Sequence, residues 1–413
     1  MGPSSQLNWD PSEKEIPLAP WQDQFEWVEE FQASPDGESV AAIVKAGEGE
    51  FNVCVNGRTW PESFDKMWYL RYSPDGRLAA IVSKDGEWTL AVDGAPWENR
   101  FGYVWNTLFS EDGRHIAAAF QQDMAYGMAC DDAPWERTFA SMTNPMLSRD
   151  GRQTAAVVQV ESLNEGEIHK YQQGIYTAAI GGVPWEKRFV NVWKTAFSPD
   201  GTSLAGEIRL NLYDYTIAVN GTPWDRTFGC VWEPVFNPVR GTVAAPVRTQ
   251  GKWTLAEDGD VIWDRRFVQL WHAAFSLDGK RLAAIVAPKF GRWTVAVDGT
   301  PWRATVGEML TDMAFSPDGT KAVFSSYFSR VFTDVHGVIC RYPDPPRNLA
   351  VRREAGRAVL SWTKPERHRE IAGYLIFRQF PGGSACEQVG RAAASTTTWT
   401  DTGPLSAEAD YKV

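Results

Sequence analysis

Histidine and cysteine, the residues that most often hold metals or carry nucleophilic and redox chemistry, are scarce here, at five each in 413 residues. The cysteines (Cys54, Cys130, Cys230, Cys340 and Cys386) stand far apart, with no CxxC pair and no CxxCH. By motif, that spacing excludes a local zinc site, an iron–sulfur cluster and an attached c-type haem. An odd number of scattered cysteines suits a reducing compartment better than a secreted protein. No HExxH, GxSxG, Walker A or GxGxxG in a strand–helix context occurs. No run of 18 apolar residues is present, so no helix is expected to span a bilayer. The first residues, Met1-Gly2-Pro3-Ser4-Ser5-Gln6, lead into polar sequence without the apolar core of a signal peptide. An excess of basic charge is missing too. The net charge of −11 divides as −13 over residues 1–343 and +2 over 344–413. Nucleic-acid binding rests on neutralising phosphates, so it is not expected. The expected location is cytoplasmic, at most peripheral at the inner face of a membrane.

What the chain has in excess is tryptophan, 20 in all. Eight of them recur as Trp21, Trp60, Trp97, Trp135, Trp185, Trp224, Trp263 and Trp302. A glycine keeps the same beat at Gly37, Gly76, Gly113, Gly151, Gly201, Gly241, Gly279 and Gly319. A period of about 40 residues is the signature of a repeat architecture. The clearest copy runs Pro184-Trp185-Glu186-Lys187-Arg188-Phe189, then Val192-Trp193, then Phe197-Ser198-Pro199-Asp200-Gly201.

Within each repeat the Ser-Pro-Asp-Gly group reads as a turn, with proline presetting φ and glycine accepting positive φ. An apolar run follows, such as Leu78-Ala79-Ala80-Ile81-Val82, then an alternating segment such as Trp88-Thr89-Leu90-Ala91-Val92 and a second turn, Asp93-Gly94. Period-two alternation and turn signals make these strands. Four short strands and four short loops fill the period, and a four-stranded meander per repeat is a propeller blade. The Asp-Gly pairs serve these turns; their oxygen ligands are too sparse for calcium loops. The fold class is therefore all-β: an eight-bladed propeller over residues 20–342, after an N-terminal arm over 1–19. Trp21 to Phe25 precedes any inner strand, so the ring is expected to close with an N-terminal strand in the last blade, which leaves no free edge. One repeat is longer, with its excess at Glu161–Tyr171 between the second and third strands of the fourth blade. After Pro343-Asp344-Pro345-Pro346 the rhythm stops, and residues 343–413 read as sandwich strands around Trp362.

Phe-Ser-Pro-Asp-Gly opening a 40-residue repeat resembles the WD40-like repeats of TolB-type propellers over residues 20–335, which implies the fold and not a function. The tail resembles a fibronectin type III domain, through its Pro-Pro entry, Trp362, Tyr374, and a Leu405–Tyr411 pair like that family's tyrosine corner. It stops where the last strand should follow. A tryptophan-rich propeller without cofactor motifs also resembles the Trp-rich subunit of Tmc-type transmembrane redox complexes of sulfate-reducing bacteria. That resemblance implies a non-catalytic scaffold without cofactors of its own, partnered by iron–sulfur and haem-carrying subunits.

By its sequence the chain is expected not to be an enzyme. Its five histidines are scattered over separate repeats and the tail. The alternative is a small-molecule or quinone-dependent enzyme with its site in the channel mouth, since quinoprotein dehydrogenases also carry a tryptophan per blade. The leading tryptophans are expected to wedge between blades, each ring contributing roughly 2–3 kcal/mol. A second series stands eight residues on: Glu29, Trp68, Trp105, Thr143, Trp193, Trp232, Trp271 and Leu310. Packing between blades accounts for these too. The functional reading makes Trp68, Trp105, Trp193, Trp232 and Trp271 an aromatic rim that anchors a protein partner, with Glu165, His169 and Tyr171 of the long loop beside it.

Overall fold

The computed structural model describes residues 18–303, 305–307, 310–316, 321–326, 330–334, 339–341, 347–354, 357–364, 373–379, 387–393, 395–401 and 410–412. Two compact units divide the chain, Met1–Ala322 and Val323–Val413. The turn at residues 317–320 and the linker at 343–346 lie outside the described residues.

Eight four-stranded sheets follow one another along the chain, spanning residues 28–59, 66–96, 103–134, 141–184, 191–223, 235–261, 269–301 and 310–341. They are numbered 1 to 8 here, with their strands lettered a to d in chain order. Each is a meander in which neighbours in sequence pair side by side. Sheet 2 is typical, with strands Lys66–Tyr72, Leu78–Lys84, Glu87–Val92 and Ala95–Pro96 paired antiparallel. Strand b is buried throughout its apolar run. The a strands of consecutive sheets touch, from sheet 1 to sheet 2, sheet 3 to sheet 4 and on through sheet 7. They therefore form the inner edge of a propeller-type array of blades.

The repeated phrase builds two turns and a wedge. Between strands a and b, the serine hydroxyl donates to the aspartate, as from Ser110 to Asp112 (2.7 Å) and from Ser276 to Asp278 (2.6 Å). The same carboxylate accepts a backbone N–H two residues on. These hydroxyl and amide donors hold Asp112, Asp150, Asp200 and Asp278 below the ordinary aspartate range. Between strands c and d, an Asp or Asn in the left-handed region accepts the first N–H of strand b. Examples are Asp93 from Leu78 (2.8 Å) and Asn220 from Leu204 (2.9 Å).

In sheets 1 to 7 strand d is only two residues long, after which the chain leaves the ladder at the leading tryptophan. It rejoins as a single bridge at the phenylalanine, such as Phe101 to Trp88 or Phe189 to Tyr176. A buried threonine holds the excursion: Thr89 donates to the Asn99 carbonyl and Thr177 to the Lys187 carbonyl, each at 2.8 Å. The excursion turns the indole into the gap between blades. Trp60 packs among Ala41, Ile43 and Val53 of sheet 1 and Met67, Leu70 and Val82 of sheet 2. Trp97 and Trp263 repeat the arrangement one blade on from their own. The expected wedge is what the leading tryptophans form.

The N-terminal copy departs from expectation. Ala19–Gln24 is a short helix with proline in its first turn, not a strand, and sheet 8 takes its fourth strand from Ile339–Arg341. Every other copy follows a c strand with which its d dipeptide pairs; among the described residues none precedes this one, and Pro20 suits the first turn of a helix. Trp21 nevertheless keeps the wedge position, buried with Phe25 against Ala42, Val44 and Cys54 on the face of sheet 1 opposite the one packed on sheet 2.

The second unit contains two three-stranded sheets. One orders Arg347–Glu354, Arg357–Thr363 and Thr398–Thr400; the other orders Glu387–Ala393, Gly373–Gln379 and Asp410–Lys412. Trp362 packs edge-on against Tyr374, with ring centroids 5.1 Å apart, among Ala358, Leu360 and Ile376. Leu405 and the side chain of Tyr411 lie outside the described residues.

Candidate functional site

The inner strands carry a recurring irregularity. In sheets 1 to 5 and 7 the a–b register slips near the middle of strand a, as between Trp68 and Arg71 or between Trp271 and Ala274. In five of these six sheets the residue just after the second-series position enters the left-handed region: Glu30 (φ 52°), Tyr69 (57°), Asn106 (53°), Asn144 (50°) and His272 (52°). Each costs about 1–2 kcal/mol for a residue with a Cβ. Such bulges re-aim side chains. Glu30 accepts from the amides of Tyr69 (3.2 Å) and Leu70 (2.7 Å) on the next blade. Asn144 donates to the Trp193 carbonyl at 2.5 Å, and Lys194 stands 3.7 Å from Glu233. The bulge side chains thus hand one blade to the next along the inner edge.

The five predicted rim tryptophans lie one per blade, on sheets 2, 3, 5 and 7 and just ahead of the shortened inner strand of sheet 6. Each packs against the aromatic residue that begins or nearly begins strand c of its own blade, stacked for Trp193 and Trp232, tilted for Trp68 and Trp271, and edge-on for Trp105. Ring centroids are 4.4 Å apart for Trp68–Trp88, 6.0 Å for Trp105–Tyr126, 5.9 Å for Trp193–Tyr215, 5.6 Å for Trp232–Trp253 and 4.4 Å for Trp271–Trp293. Trp68, Trp105, Trp193 and Trp271 are half-buried, whereas Trp232 is 47% exposed.

The long loop contains a short helix, Ile168–Gln173. Its Tyr171 hydroxyl meets the Asn191 side-chain carbonyl at 2.5 Å, two residues before Trp193. Lys170 and Arg188 close on Glu161. The structure therefore brings Tyr171 near the start of the sheet 5 inner strand. Glu165 and His169 are exposed, and Trp68, Trp105 and Trp271 belong to other blades.

Sheet 6 breaks the pattern. Pro234 lacks the amide that a ladder needs, and strand a shrinks to Val235–Phe236. Strand b carries Pro246, whose carbonyl accepts from the Trp232 amide at 2.9 Å. Sheet 5 beside it carries a buried carboxyl. At the fourth position of the strand b run, sheets 1, 2, 3, 4, 6 and 7 have Ile43, Ile81, Ala119, Val157, Pro246 and Ile285. Sheet 5 has Glu207, 7% exposed. Its carboxyl is pushed up to about 7, first by burial and then by the Glu233 carboxylate, with the Lys194 amide and ammonium opposing. Burial also raises the Cys230 thiol, helped by the charge of Glu207. Lys194, Glu207, Cys230 and Glu233 thus form one electrostatic cluster between blades 5 and 6. A carboxyl that titrates near neutrality has the acid strength a general acid or base needs. Glu207 escaped the sequence reading, although its signal was there: Leu-Ala-Gly-Glu-Ile, where the same run in sheets 1 to 4, 6 and 7 has no charged residue.

At the end of the array bearing the b–c hairpins, a cleft of about 520 Å³ is lined by Tyr213, Asp214, Phe228, Arg248 and Gln250. At the opposite end, one of about 750 Å³ is lined by Glu111, Arg114, His115, Arg149 and Arg152. There His115 meets Asp131 at 2.6 Å, and Arg149 grips Glu111 with two nitrogens, holding that carboxyl at about 2. Among the described residues, no group of three or more His, Cys, Asp or Glu is arranged to hold a metal ion.

No protein-family model and no curated protein matches the chain. Solved structures similar to it include the Dos1 propeller, at 11% identity over 72% of this chain and 75% of that one, with a TM-score of 0.33. Hydrazine synthase of Kuenenia stuttgartiensis is similar at 14% identity over 76% and 94%, with a TM-score of 0.28. Dihydro-heme d1 dehydrogenase NirN in complex with DHE is similar at 15% identity over 80% and 80%, with a TM-score of 0.34. Two of these three are enzymes. The expectation that the chain is not an enzyme is therefore withdrawn, since enzymes are among these similar structures. The missing motifs excluded particular chemistries, not catalysis. Identities this low bring no activity across.

Proposed function

We propose that the chain is a protein-docking platform, an accessory subunit at the cytoplasmic face of a membrane-bound electron-transfer complex whose neighbours carry iron–sulfur and haem groups. Its eight sheets are read as an eight-bladed WD40-like propeller. Residues 343–413 are read as a fibronectin type III-like domain, a reading supported by their strand order and by Trp362 against Tyr374. The observation that carries the docking reading is Trp232. It is a large ring half in solvent, stacked on Trp253 and positioned by a broken inner strand, and exposed tryptophan on a rigid support is the commonest kind of interface anchor. The test is native purification under mild solubilisation, with neighbours identified. Stoichiometric redox subunits should accompany the wild-type protein and be lost with Trp232→Ala. A protein that purifies alone and monomeric would sink the reading.

Glu207 favours a second reading, a small-molecule enzyme of the inner edge in which this carboxyl moves a proton beside Lys194 and Glu233. A stoichiometric chromophore or bound calcium in the native protein would support it over the docking platform.

A further inference from the structure

The b–c hairpins of sheets 1 to 7 end on one side of the array, and four of the blades present bulky apolar side chains there. Met124 is 77% exposed at the tip of sheet 3, Ile168 62% on the sheet 4 insertion, Tyr213 80% on sheet 5 and Phe290 89% on sheet 7. Leu163 and Leu212 stand exposed on the same hairpins. These tips are built, not frayed. In sheet 5, the Leu210 amide donates to Asp214, and the Asn211 side chain accepts from the amides of Tyr213 and Asp214. Arg209 lies over the Tyr215 ring and donates to the carbonyls of Asn211 and Leu212. Ordering Tyr213 in solvent has no folding benefit, which is why such residues point to a second surface.

We propose that this end of the array binds the surface of an anionic lipid bilayer, with the hairpin tips entering the headgroup layer. The inference stands on the tips alone and does not depend on the docking reading. Two observations favour lipid over protein. The apolar residues sit on separate hairpins with polar residues around each, whereas a protein interface gathers its apolar residues into one contiguous core. A fluid headgroup layer accepts separate anchors at one level. Second, basic side chains flank the tips of sheets 5 and 7: Lys289 and Arg292 on either side of Phe290, Arg209 beneath Tyr213, and Arg248 in the neighbouring cleft, whereas Asp123 stands beside Met124 and Glu167 beside Ile168. The opposite end carries the aspartates of the Ser-x-Asp and Asp-Gly turns. An anionic surface is therefore drawn to the sheet 5 to 7 side of this end, which orients the molecule.

The experiment is flotation of the full chain with vesicles of equal parts phosphatidylglycerol and phosphatidylcholine, beside vesicles of phosphatidylcholine alone, at low and high salt. Binding is expected to the anionic vesicles and to weaken with salt. Tyr213→Ser with Phe290→Ser should reduce partitioning about tenfold or more, and Lys289→Glu with Arg292→Glu by a similar factor. All four positions are exposed, so the variants should melt like the wild type. Tryptophan emission of the wild type should be unchanged by free glycerol phosphate, which separates a bilayer surface from a headgroup pocket. The proposal is overturned by no flotation at low salt, by equal binding to both vesicles, or by variants that bind like the wild type.

Discussion

Glu207 makes a prediction whose sign and size follow from its position. In the unfolded chain its carboxyl titrates near 4.5, and in the folded protein burial and Glu233 push it up to about 7. Below pH 4.5 both states hold the proton and the residue contributes nothing pH-dependent. Between 4.5 and 7 the folded state keeps a proton that the unfolded state has released, so stability falls as pH rises. Above about 7 both are ionised, and the full cost of a buried carboxylate remains. At 1.36 kcal/mol per pH unit, that cost is about 3 kcal/mol. Glu207→Gln keeps the shape and removes the charge. Its stability should match the wild type near pH 4.5 and exceed it by up to about 3 kcal/mol at pH 8, or roughly 5 °C in Tm for a unit this large. Parallel calorimetric melts of both proteins from pH 4.5 to 8 read this directly. Glu233→Gln should lessen the wild-type slope by removing the second cause of the shift. A difference between wild type and Glu207→Gln that stays constant across pH would refute the reasoning, as would a Gln variant less stable at pH 8.

The remaining predictions concern the frame. Trp97→Ala removes a wedge buried between sheets 2 and 3 and should cost about 3–5 kcal/mol, seen as a lower melting temperature and not a change of fold by circular dichroism. Gly221 sits at φ 82° with Trp185 Cβ only 3.0 Å from where its own Cβ would be, whereas Gly49, at φ 72°, has open space around it. Gly49→Ala should therefore cost about 1 kcal/mol from backbone strain alone, and Gly221→Ala clearly more, measured by the same melts.

The frame was legible because each of its parts repeats. A wedge tryptophan, a turn aspartate and a glycine each make the same contact in blade after blade, so period and turn chemistry predicted the sheets. The N-terminal copy misled for a physical reason: a proline before the tryptophan suits the first turn of a helix as well as the end of a two-residue strand, and the motif alone does not separate the two. The bulges were illegible because Glu30, Tyr69, Asn106, Asn144 and His272 share no residue type; what they share is a left-handed φ imposed by the slip in register. Glu207 was hidden in the opposite way, within a run read for its average apolarity and not position by position.

That contrast bears on where function resides. A residue present in every blade is explained by the blade, and the half-buried Trp68, Trp105, Trp193 and Trp271 on their strand c partners come close to that condition. Sheets 5 and 6 depart from the pattern at several points together: a carboxyl in an apolar run, prolines at Pro234 and Pro246 in adjacent strands, an inner strand cut to two residues, and Trp232 released into solvent. Each departure costs stability by itself: a buried charge, lost ladder bonds, and an unburied indole. Unrelated drift would scatter such costs over eight blades; here they adjoin, with Lys194, Glu233 and Cys230 among them. Restoring the repeat at one position at a time, Glu207→Ile or Pro246→Ile, should raise stability while leaving the other blades untouched. If the departures serve a common purpose, either change alone should remove the partner or the turnover, and a stabilised protein that kept both would show the cluster to be incidental.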